Sequence, residues 1–440
     1  MNLDSSPIRF GLAGLGGYAG YVCDRIINDS RRDQPSAQLI AVCEPEPERH
    51  VQRVSDLRSA GVHVVRDFAD LLNENIEAVW LPLPIDLHCP YTEQALAAGI
   101  AVLCEKPAAG CVDDVDSMIA ARDRSGLPVA IGFQDMYQPS VALLKDRLIA
   151  GEFGKALSAR VIGCWPRSER YFGRNNWAGR LRRNGRWVMD SPASNALAHF
   201  LHLALFLLGP TREQSARPHS VAAELYRANR IENYDTCTMR FRVGDDDLPL
   251  DVAYTHACAS PVEPVIVIQM ERARLAYVSG RHIEILKGAQ GEVLPLSTSP
   301  HKHMLAAFKA WMRQGSGAAM GSTLEAARMH VVAFNAASEA VTVLDVPSQY
   351  VETIAEPDQV TLRAIRGIVP AMKSCISDRC FLYETGLAPW ARPPAMMSIN
   401  GYTHFRGPAS GMSRGGDGAA STRPIPRATA SATPAPARLD

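Results

Sequence analysis

The stretch that decides the fold runs from Ile8 to Ile27 and reads IRFGLAGLGGYAGYVCDRII. Its opening residues are mostly apolar, as in a buried strand, and a helical pattern begins at Tyr18. Between strand and helix stands the pattern G-x-G-x-x-A, carried by Gly14, Gly16 and Ala19. Because such a turn presents backbone N–H groups at a helix N-terminus, the sequence predicts a site for a dinucleotide pyrophosphate.

Each small residue of this turn has a separate expected role. Gly14 permits the tight turn, Gly16 lets the backbone approach the pyrophosphate, and Ala19 lets the helix pack closely on the strand. Gly17 and Tyr18 complete the turn and are expected at the cofactor as well. A glycine-rich turn with a purely structural role is the alternative interpretation.

Glu44 closes the second predicted strand, where a carboxylate accepts hydrogen bonds from an adenosine ribose. This position favours NAD over NADP, because a 2′-phosphate would meet a like charge. Arg49 follows closely and could compensate in part. A solvated surface glutamate is the alternative.

The first part of the chain alternates short β-branched runs with helical patterns. The predicted strands are Ile8–Gly14, Leu39–Cys43, Ala78–Leu83, Ala101–Cys104 and Val129–Gly132. Such alternation is typical of a doubly wound parallel sheet, so residues 1–133 are predicted to form a Rossmann domain. We therefore expect an α/β protein whose cofactor site lies in this first domain.

The texture changes near Ala156, where longer strand-like runs are separated by turn residues. Residues 134–350 are accordingly predicted to form an α/β domain with a large, mostly antiparallel open sheet. Ser322 is expected to cap a helix that runs to about Ala340. Residues 351–406 are apolar and aromatic enough to pack back on the body, and residues 407–440 have the composition of a disordered tail.

Composition excludes several function classes. Lys+Arg and Asp+Glu both number 46, so the formal net charge is zero and nucleic acid is not the expected partner. The longest apolar run, Ala198–Leu208, is too short for a membrane span, and the N-terminus lacks the pattern of a secretory signal. The ten cysteines form no metal-binding spacing, and we expect no metal, reduced thiols and a cytoplasmic location.

A longer ordered pattern follows the glycine turn: Leu81-Pro82-Leu83-Pro84 with His88, then Gln94–Gly99, then Val102–Pro107. The chain resembles the Gfo/Idh/MocA oxidoreductase family from about Ile8 to Val346, most specifically at the Glu-Lys-Pro turn. The resemblance implies a Rossmann domain followed by an α/β domain whose open sheet often forms oligomer contacts. The residues of the pattern expected at the cofactor are Pro82, Leu83, His88, Glu105 and Lys106.

Lys106 is the first candidate catalytic residue. It ends a predicted parallel strand, beside the crevice where such sheets bind ligands, and the resemblance implies that its side chain reaches the substrate oxygen. An ammonium group there would stabilise developing alkoxide charge. A solvated surface lysine is the alternative interpretation.

The segment Asp190–Gly209 is expected to supply the rest of the site. The family commonly reads D-x-x-x-H-x-x-D here, and this chain has Asn195, His199 and His202, so only the histidine matches. The spacing predicts one helical face for all three. Asn195 could orient the His199 ring but supplies no charge; Asp190 could substitute if the chain bends near Pro192. His199 as a satisfied core histidine, and His202 as a residue lying against the sheet, are the alternatives.

The candidate substrate contacts are aromatic, amide, carboxylate and basic residues, which together suit a polyhydroxylated ring. They are Gln134, Trp165, Arg167, Tyr171, Trp177, Asp190 and His202. A loop packed for stability alone would also use tryptophan and tyrosine.

These observations predict an NAD(P)-dependent dehydrogenase or reductase of a sugar, cyclitol or sugar derivative, with Lys106, His199 and Asn195 as its catalytic residues. NAD is the expected cofactor, NADP the less favoured one, and a homo-oligomer (dimer or tetramer) the expected assembly. Two alternatives stay open. One is a glycosidase-type enzyme that uses NAD without net redox change, and the other is a non-catalytic cofactor-binding protein.

Overall fold

The computed structural model describes residues 6–315, 321–355, 357 and 360–409. Its first sheet has six parallel strands: β1 (Ile8–Ala13), β2 (Ala37–Cys43), β3 (His63–Val65), β4 (Ala78–Leu81), β5 (Ala101–Cys104) and β6 (Val129–Ile131). Their order is β3-β2-β1-β4-β5-β6. Strand order reverses between β1 and β4, so the crevice at their carboxyl ends is the expected ligand position.

Eleven α-helices lie in the described residues. They are α1 (Tyr18–Ser30), α2 (Val51–Ser59), α3 (Phe68–Leu72), α4 (His88–Ala97), α5 (Val112–Ser125), α6 (Pro139–Ile149), α7 (Glu169–Gly173), α8 (Ala198–Leu207), α9 (Pro300–Gln314), α10 (Leu324–Ala340) and α11 (Ile368–Ser377). Helix α9 packs on the first sheet, although in sequence it lies far beyond the last strand of that sheet. Phe308 of α9 lies 5.7 Å from Phe10 of β1 between ring centroids.

The remaining strands build a second sheet and two small ribbons. They are β7 (Ala156–Cys164), β8 (Arg182–Arg183), β9 (Arg186–Trp187), β10 (Pro218–Arg227), β11 (Thr236–Val243), β12 (Leu248–Thr255), β13 (Val262–Met270), β14 (Arg274–Val278), β15 (His282–Lys287), β16 (Gln290–Pro295), β17 (Leu344–Asp345), β18 (Val351–Ala355), β19 (Thr361–Ile365) and β20 (Ala395–Ser398). The sheet order is β16-β15-β14-β13-β7-β12-β11-β10-β17, with β20 also paired to β10. Its neighbours are antiparallel except β7–β12 and β10–β17.

The predicted fold class, a Rossmann domain with a large and mostly antiparallel second sheet, is confirmed. The sequence missed β3, which is three residues long and carries too little pattern to read. The predicted cap at Ser322 is wrong by one residue, since the Thr323 hydroxyl accepts the hydrogen bond from the Ala326 N–H at 3.1 Å. The division into domains at residue 133 stays a prediction, and α9 crosses it.

The two faces of the second sheet have different covers. Alternate residues such as Val161 and Val252 face α8 and α10 in the main core, whereas Ile162 and Ala253 face the opposite way. That opposite face is covered by the C-terminal segment, in which α11 and residues 381–391 join the same apolar cluster. This C-terminal segment, which we call the extension, therefore occupies part of the sheet face that the resemblance assigned to oligomer contacts.

The described chain forms one compact unit as far as Ala409. The predicted tail lies outside the described residues except for 407–409. None of the helices in the described ranges is long and apolar enough to cross a membrane.

Candidate active site

The glycine turn has the geometry that a pyrophosphate site requires. Gly14 and Gly17 have φ values of +95° and +54°, a region that side chains disfavour. A Cβ added to Gly14 would lie 3.4 Å from the Cβ of Ala19, so strand and helix are already in close contact. No described side chain caps the N-terminus of α1. The Ala19 N–H donates to the Gly16 oxygen at 3.1 Å, so the N–H groups ahead of it, from Gly16 to Tyr18, are those that can receive a ligand.

Glu44 lies directly beneath this turn. Its Oε2 accepts the Leu15 N–H at 2.8 Å, and its Oε1 accepts the Glu46 N–H at 3.0 Å. The Nε2 of His50 is 3.8 Å from Glu44 Oε2 and 3.7 Å from a Cβ added to Gly16. A carboxylate has about four acceptor positions, so Glu44 can hold the turn and still accept ribose hydroxyls. His50 was missed by the sequence analysis because its own helix gives no hint of this contact.

His88 ties together the two loops that follow β4 and β5. Its ring nitrogens lie 2.8 Å from the Pro107 oxygen and 2.9 Å from the Leu83 oxygen. The side chain is buried, and burial lowers its pKa. His88 therefore tethers the Pro82–Leu83 loop to the lysine turn instead of presenting a free ring nitrogen to the crevice.

Glu105 is buried under the crevice. The Trp80 Nε1–H donates to its Oε1 at 3.1 Å, and a Cβ added to Gly132 would lie 2.8 Å from the same oxygen. Burial raises the pKa of Glu105 to about 7, against the opposing charge of Lys106. The carboxyl group is therefore close to its midpoint of ionisation at neutral pH.

Lys106 begins a chain of three polar side chains, which we call the lysine chain. Its Nζ donates to the backbone oxygen and to Oδ1 of Asn195, both at 2.9 Å. The Asn195 Nδ2 donates to Asp190 Oδ1 at 2.6 Å, and Asp190 Oδ2 accepts the Gly179 N–H at 2.5 Å. Burial lowers the pKa of Lys106, although Glu105 and Asp190 oppose the shift. An ammonium group has three protons, so one remains for a substrate oxygen.

The helix expected from Asp190 onward is interrupted. Asn195 lies in a π-helical turn, Pro192–Ala196, and α8 starts only at Ala198. The bend near Pro192 brings Asp190 back to the Asn195 amide. The sequence left open that Asp190 replaces the missing carboxylate beside His199, but the carboxylate recorded beside that ring is Asp135. The expectation of one regular helical face for Asn195, His199 and His202 is therefore wrong.

His199 meets a carboxylate that the sequence analysis did not consider. Its Nδ1 lies 3.5 Å from Oδ2 of Asp135, which follows β6. This is slightly longer than a hydrogen bond, as catalytic pairs often are without substrate. Burial lowers the pKa of His199 well below its usual range, helped by the charge of Lys106, and burial raises the pKa of Asp135 to about 6.

His202 lies deeper than the other candidate residues. Its side chain has no exposed surface, its ring lies 4.0 Å from the Phe133 ring, and its Nε2 is 3.4 Å from the Ser322 hydroxyl. As the structure stands, His202 does not line the crevice. Gln134 is half-buried, and its Oε1 has no hydrogen-bond partner among the described residues.

A group of stacked side chains borders the lysine chain. We call it the arginine–aromatic cluster; it consists of Trp165, Arg167, Tyr171, Arg174 and Trp177. The Arg167 guanidinium lies 4.7 Å from the Tyr171 ring centroid and 5.6 Å from that of Trp165. Arg174 lies 3.6 Å from the Tyr171 centroid and 5.3 Å from that of Trp177. Tyr171 packs beside Asp190 and His256 around a narrow cleft that leaves no room for a water molecule. The sequence analysis missed Arg174.

Tyr18 connects the glycine turn to helix α9. Its hydroxyl lies 3.0 Å from Nε2 of His301, the second residue of α9, and its ring stacks on Tyr21 at 5.6 Å. Burial lowers the pKa of His301 to about 4. Within the described residues, no group of three or more His, Cys, Asp and Glu side chains could hold a metal ion. His301 thus supports the turn from the opposite side.

Sequence comparison finds a family model that matches the first domain. The profile described as "Oxidoreductase family, NAD-binding Rossmann fold", GFO_IDH_MocA, matches residues 8–133. Residues 8–133 are therefore similar to the NAD-binding domain of the Gfo/Idh/MocA family. The match covers the glycine turn, Glu44, the Glu105-Lys106-Pro107 turn and the strand before Asp135, but it ends before the second domain.

Curated relatives and solved structures extend the comparison. It is 28% identical over 195 residues to the D-apiose dehydrogenase of Paraburkholderia graminis, covering 42% of this chain and 47% of that protein. The chain therefore spans about half the length of this curated relative. The WlbA dehydrogenase of Bordetella pertussis, solved with NADH and UDP-GlcNAcA, has a TM-score of 0.62 at 22% identity, covering 76% of this chain and 98% of that one.

An inositol dehydrogenase homolog from Azotobacter vinelandii, solved with NADH and myo-inositol, has a TM-score of 0.61 at 17% identity. The alignment covers 76% of this chain and 96% of that chain. At such identities the likeness shows the fold alone.

Proposed function

We propose that this protein is an NAD(P)-dependent oxidoreductase that transfers hydride between nicotinamide and a secondary alcohol or ketone of a sugar, cyclitol or sugar derivative. The observation that carries the proposal is the lysine chain and the His199–Asp135 pair beside an uncapped helix N-terminus. Relatives named as dehydrogenases of D-apiose and of inositol support the same class of substrate.

The cofactor fits the first domain by two features of the chain. The uncapped N–H groups of α1 can receive the pyrophosphate, with Gly16, Gly17 and Tyr18 around it, and Glu44 can accept the ribose hydroxyls. NAD(H) would supply the hydride chemistry itself. Pro82, Leu83 and Glu105 are further proposed contacts on the loops that follow β4 and β5.

His199 and Lys106 share the proton and charge of the reacting oxygen in this account. His199 is neutral at pH 7 because its pKa is depressed, so it can accept the hydroxyl proton. Asp135 faces Nδ1, which leaves Nε2 as the accepting atom, and its charge stabilises the imidazolium that forms. Lys106 donates its third proton to the same oxygen, while Asn195 and Asp190 hold the lysine in place.

NAD is the proposed cofactor in preference to NADP. The Glu44 carboxylate stands where a 2′-phosphate would be repelled. Arg49, which could have compensated, forms an ion pair with Glu46 at 2.7 Å instead of facing that position. Calorimetric titration of the protein with both cofactors should show a dissociation constant for NAD⁺ at least about tenfold lower, a difference of roughly 1.4 kcal/mol. Equal affinities would overturn this preference.

The function is tested by following NADH absorbance with a panel of sugars and cyclitols. Substrate-dependent NADH formation is expected, and product release without any change in cofactor redox state would favour the glycosidase alternative. Binding of NAD⁺ with no turnover of any kind would favour the non-catalytic alternative. That alternative was motivated by missing carboxylates at positions 195 and 202, and Asp190 and Asp135 weaken its premise.

We also propose a cytoplasmic homo-oligomer, a dimer or a tetramer. The extension covers one part of the open sheet face, so subunit contacts would involve other surface. Light scattering on the purified protein measures the assembly directly. A monomer at micromolar concentration would overturn this proposal.

A further inference from the structure

The arginine–aromatic cluster carries positive charge that its surroundings do not neutralise. Within the described residues, neither Arg167 nor Arg174 forms an ion pair with a carboxylate. Arg174 donates to the backbone oxygen of Tyr171 at 2.5 Å, and the buried Nε–H of Arg167 has no hydrogen-bond partner among the described residues. A buried donor without an acceptor costs free energy, so the site gains when a ligand supplies one.

The other arginines of the same segment differ in their partners. Three of them face carboxylates: Arg180 with Glu232 at 2.8 Å, Arg183 with Asp86 at 3.0 Å and Arg186 with Asp114 at 3.5 Å. A fourth, Arg182, is exposed, stacks on Trp187 and donates to the Gly185 oxygen without a carboxylate partner. Acidic residues are nevertheless within reach of this segment, so the lack of a carboxylate at the cluster does not follow from a shortage of acidic residues nearby.

The cluster adjoins the residues proposed to act on the substrate. Tyr171 and Asp190 line the same cleft, and Asp190 leads through Asn195 to Lys106. After burial and the neighbouring carboxylates, Arg174 and Arg167 also act on the pKa of Lys106 and lower it. Three cations thus share the region with two carboxyl groups, Asp190 and Glu105, which leaves an excess of positive charge.

Stacking of arginine on aromatic rings is also a stabilising contact by itself. Such stacking explains the positions of the two guanidinium groups, but it does not explain why a buried Nε–H of Arg167 lacks an acceptor. A ligand oxygen would accept the hydrogen bond that this N–H can donate.

We propose that the substrate of this site is an anionic sugar derivative whose carboxylate or phosphate group is bound by Arg167 and Arg174. The guanidinium fork matches the planar spacing of carboxylate and phosphate oxygens. Trp165, Tyr171 and Trp177 supply flat apolar faces for the sugar ring. This inference rests on the proposed dehydrogenase function, and it adds the charge of the substrate to it.

The experiment uses the full chain loaded with NAD⁺ and matched sets of sugars. Each set has a neutral sugar, its uronate and its 6-phosphate, for example glucose, glucuronate and glucose 6-phosphate. Calorimetry measures binding, and NADH absorbance measures turnover. The proposal expects at least one anionic member to bind about tenfold or more tightly than its neutral counterpart. The arm that binds, uronate or phosphate, identifies the anion.

Two variants and one control locate the anion. In Arg167→Gln and Arg174→Gln, kcat/KM for the anionic sugar should fall by about 30- to 100-fold, mainly through KM, as expected when a charge-assisted bidentate contact is lost. The neutral sugar of the same set should change less than about threefold. Arg186→Gln, which removes a paired arginine of the same segment, should leave both values unchanged.

Two outcomes would overturn the proposal: equal binding of neutral and anionic sugars by the unmodified protein, or equal losses on both in the arginine variants. Turnover of neutral sugars without preference for the anion would overturn this inference and leave the dehydrogenase function standing. Selective, arginine-dependent binding of the anion without NADH formation would support the anion site and contradict the dehydrogenase function.

Discussion

Lys106 donates two protons to Asn195 and keeps one for the crevice. Lys106→Met retains the length of the side chain and removes its charge. We expect kcat/KM to fall by about 100- to 1000-fold, the range seen when one donor to a developing oxyanion is lost. Steady-state kinetics measure this loss, and calorimetry should give an NAD⁺ dissociation constant within about threefold of the unmodified value.

The matched control is Lys155→Met, since Lys155 is exposed and pairs only with Asp246 at the surface. It should retain the activity of the unmodified protein. Full turnover in Lys106→Met would remove the lysine from the mechanism.

Asp135 should leave a signature in the pH profile of kcat/KM. Burial raises its pKa to about 6, so its negative charge is present above that value and is lost as the pH falls through it. Because this charge stabilises protonated His199, activity should fall on the acid side near pH 6. Asp135→Asn should lower kcat/KM at pH 8 by about 10- to 100-fold and remove this acidic limb.

Glu105, with a pKa near 7, also titrates in this range, and the asparagine variant separates the two carboxyl groups. An acidic limb near pH 6 that persists unchanged in Asp135→Asn would assign it elsewhere and contradict the role of Asp135.

At the scale of residues, the sequence could place those that belong to local motifs. Lys106 ends a strand and Glu44 ends another, so both were predicted at the crevice from position alone. Asp135 could not be predicted, because His199 reaches it through tertiary packing that no spacing encodes. Arg174 lies three residues after Tyr171, and that helical spacing is a signal by which the sequence could have identified it. The contact between Asp190 and Asn195 depends on a bend at Pro192, which the helical pattern of the sequence does not predict.

Helix α8 is held at its C-terminal end by a buried lysine from α6. The Lys145 Nζ donates to the backbone oxygens of Phe206 and Gly209, the latter at 2.6 Å, and the side chain is 1% exposed. Lys145→Met leaves both oxygens without this donor. We expect the free energy of unfolding in urea to fall by about 3 kcal/mol. His199 stands at the start of α8, so kcat/KM should fall as well.

The pH dependence of this loss has a definite sign. Burial lowers the pKa of Lys145 to about 7, below the usual value of about 10.4. Between these values the unfolded chain binds more protons than the folded one, so the contribution of Lys145 to stability rises with pH. The difference between the protein and Lys145→Met should widen from pH 7 to pH 9. A constant difference would mean that the folded lysine keeps its ordinary pKa.

Strands with a clear hydrophobic pattern could be located from the sequence, and strands with a weak pattern could not. The strands β1, β5 and β6 lie within a residue of their predicted ranges, because each is a mostly apolar or β-branched run. The edge strand β16 and its neighbour β15 were missed, since β16 is mostly exposed and β15 alternates buried isoleucines with polar residues. Exposed polar positions weaken the apolar pattern from which a strand is predicted.

The C-terminal segment covers part of one face of the second sheet. Trp390 is buried there and meets the Tyr226 ring edge-on at 4.8 Å between centroids. Trp390→Ala should lower the free energy of unfolding by about 3 to 4 kcal/mol, as expected for a large ring removed from a core. Chemical denaturation measures this effect. Far from the crevice, the change should leave kcat/KM within about twofold at temperatures where the variant is folded.

The control is Met396→Ala in β20, because Met396 is 78% exposed and should cost little. If Trp390→Ala were as stable as Met396→Ala, the extension would be only loosely attached and the account of the covered sheet face would be wrong.

The central claim joins both domains: a dinucleotide at the glycine turn brings its nicotinamide beside Lys106 and His199. A crystal structure of the protein with NAD⁺ tests it most directly. The account predicts the pyrophosphate at the backbone N–H groups of Gly16 to Tyr18, with Lys106 Nζ and His199 both within about 6 Å of nicotinamide C4, the space of one reacting alcohol. A nicotinamide ring bound away from these two side chains, or a cofactor bound outside the glycine turn, would contradict it.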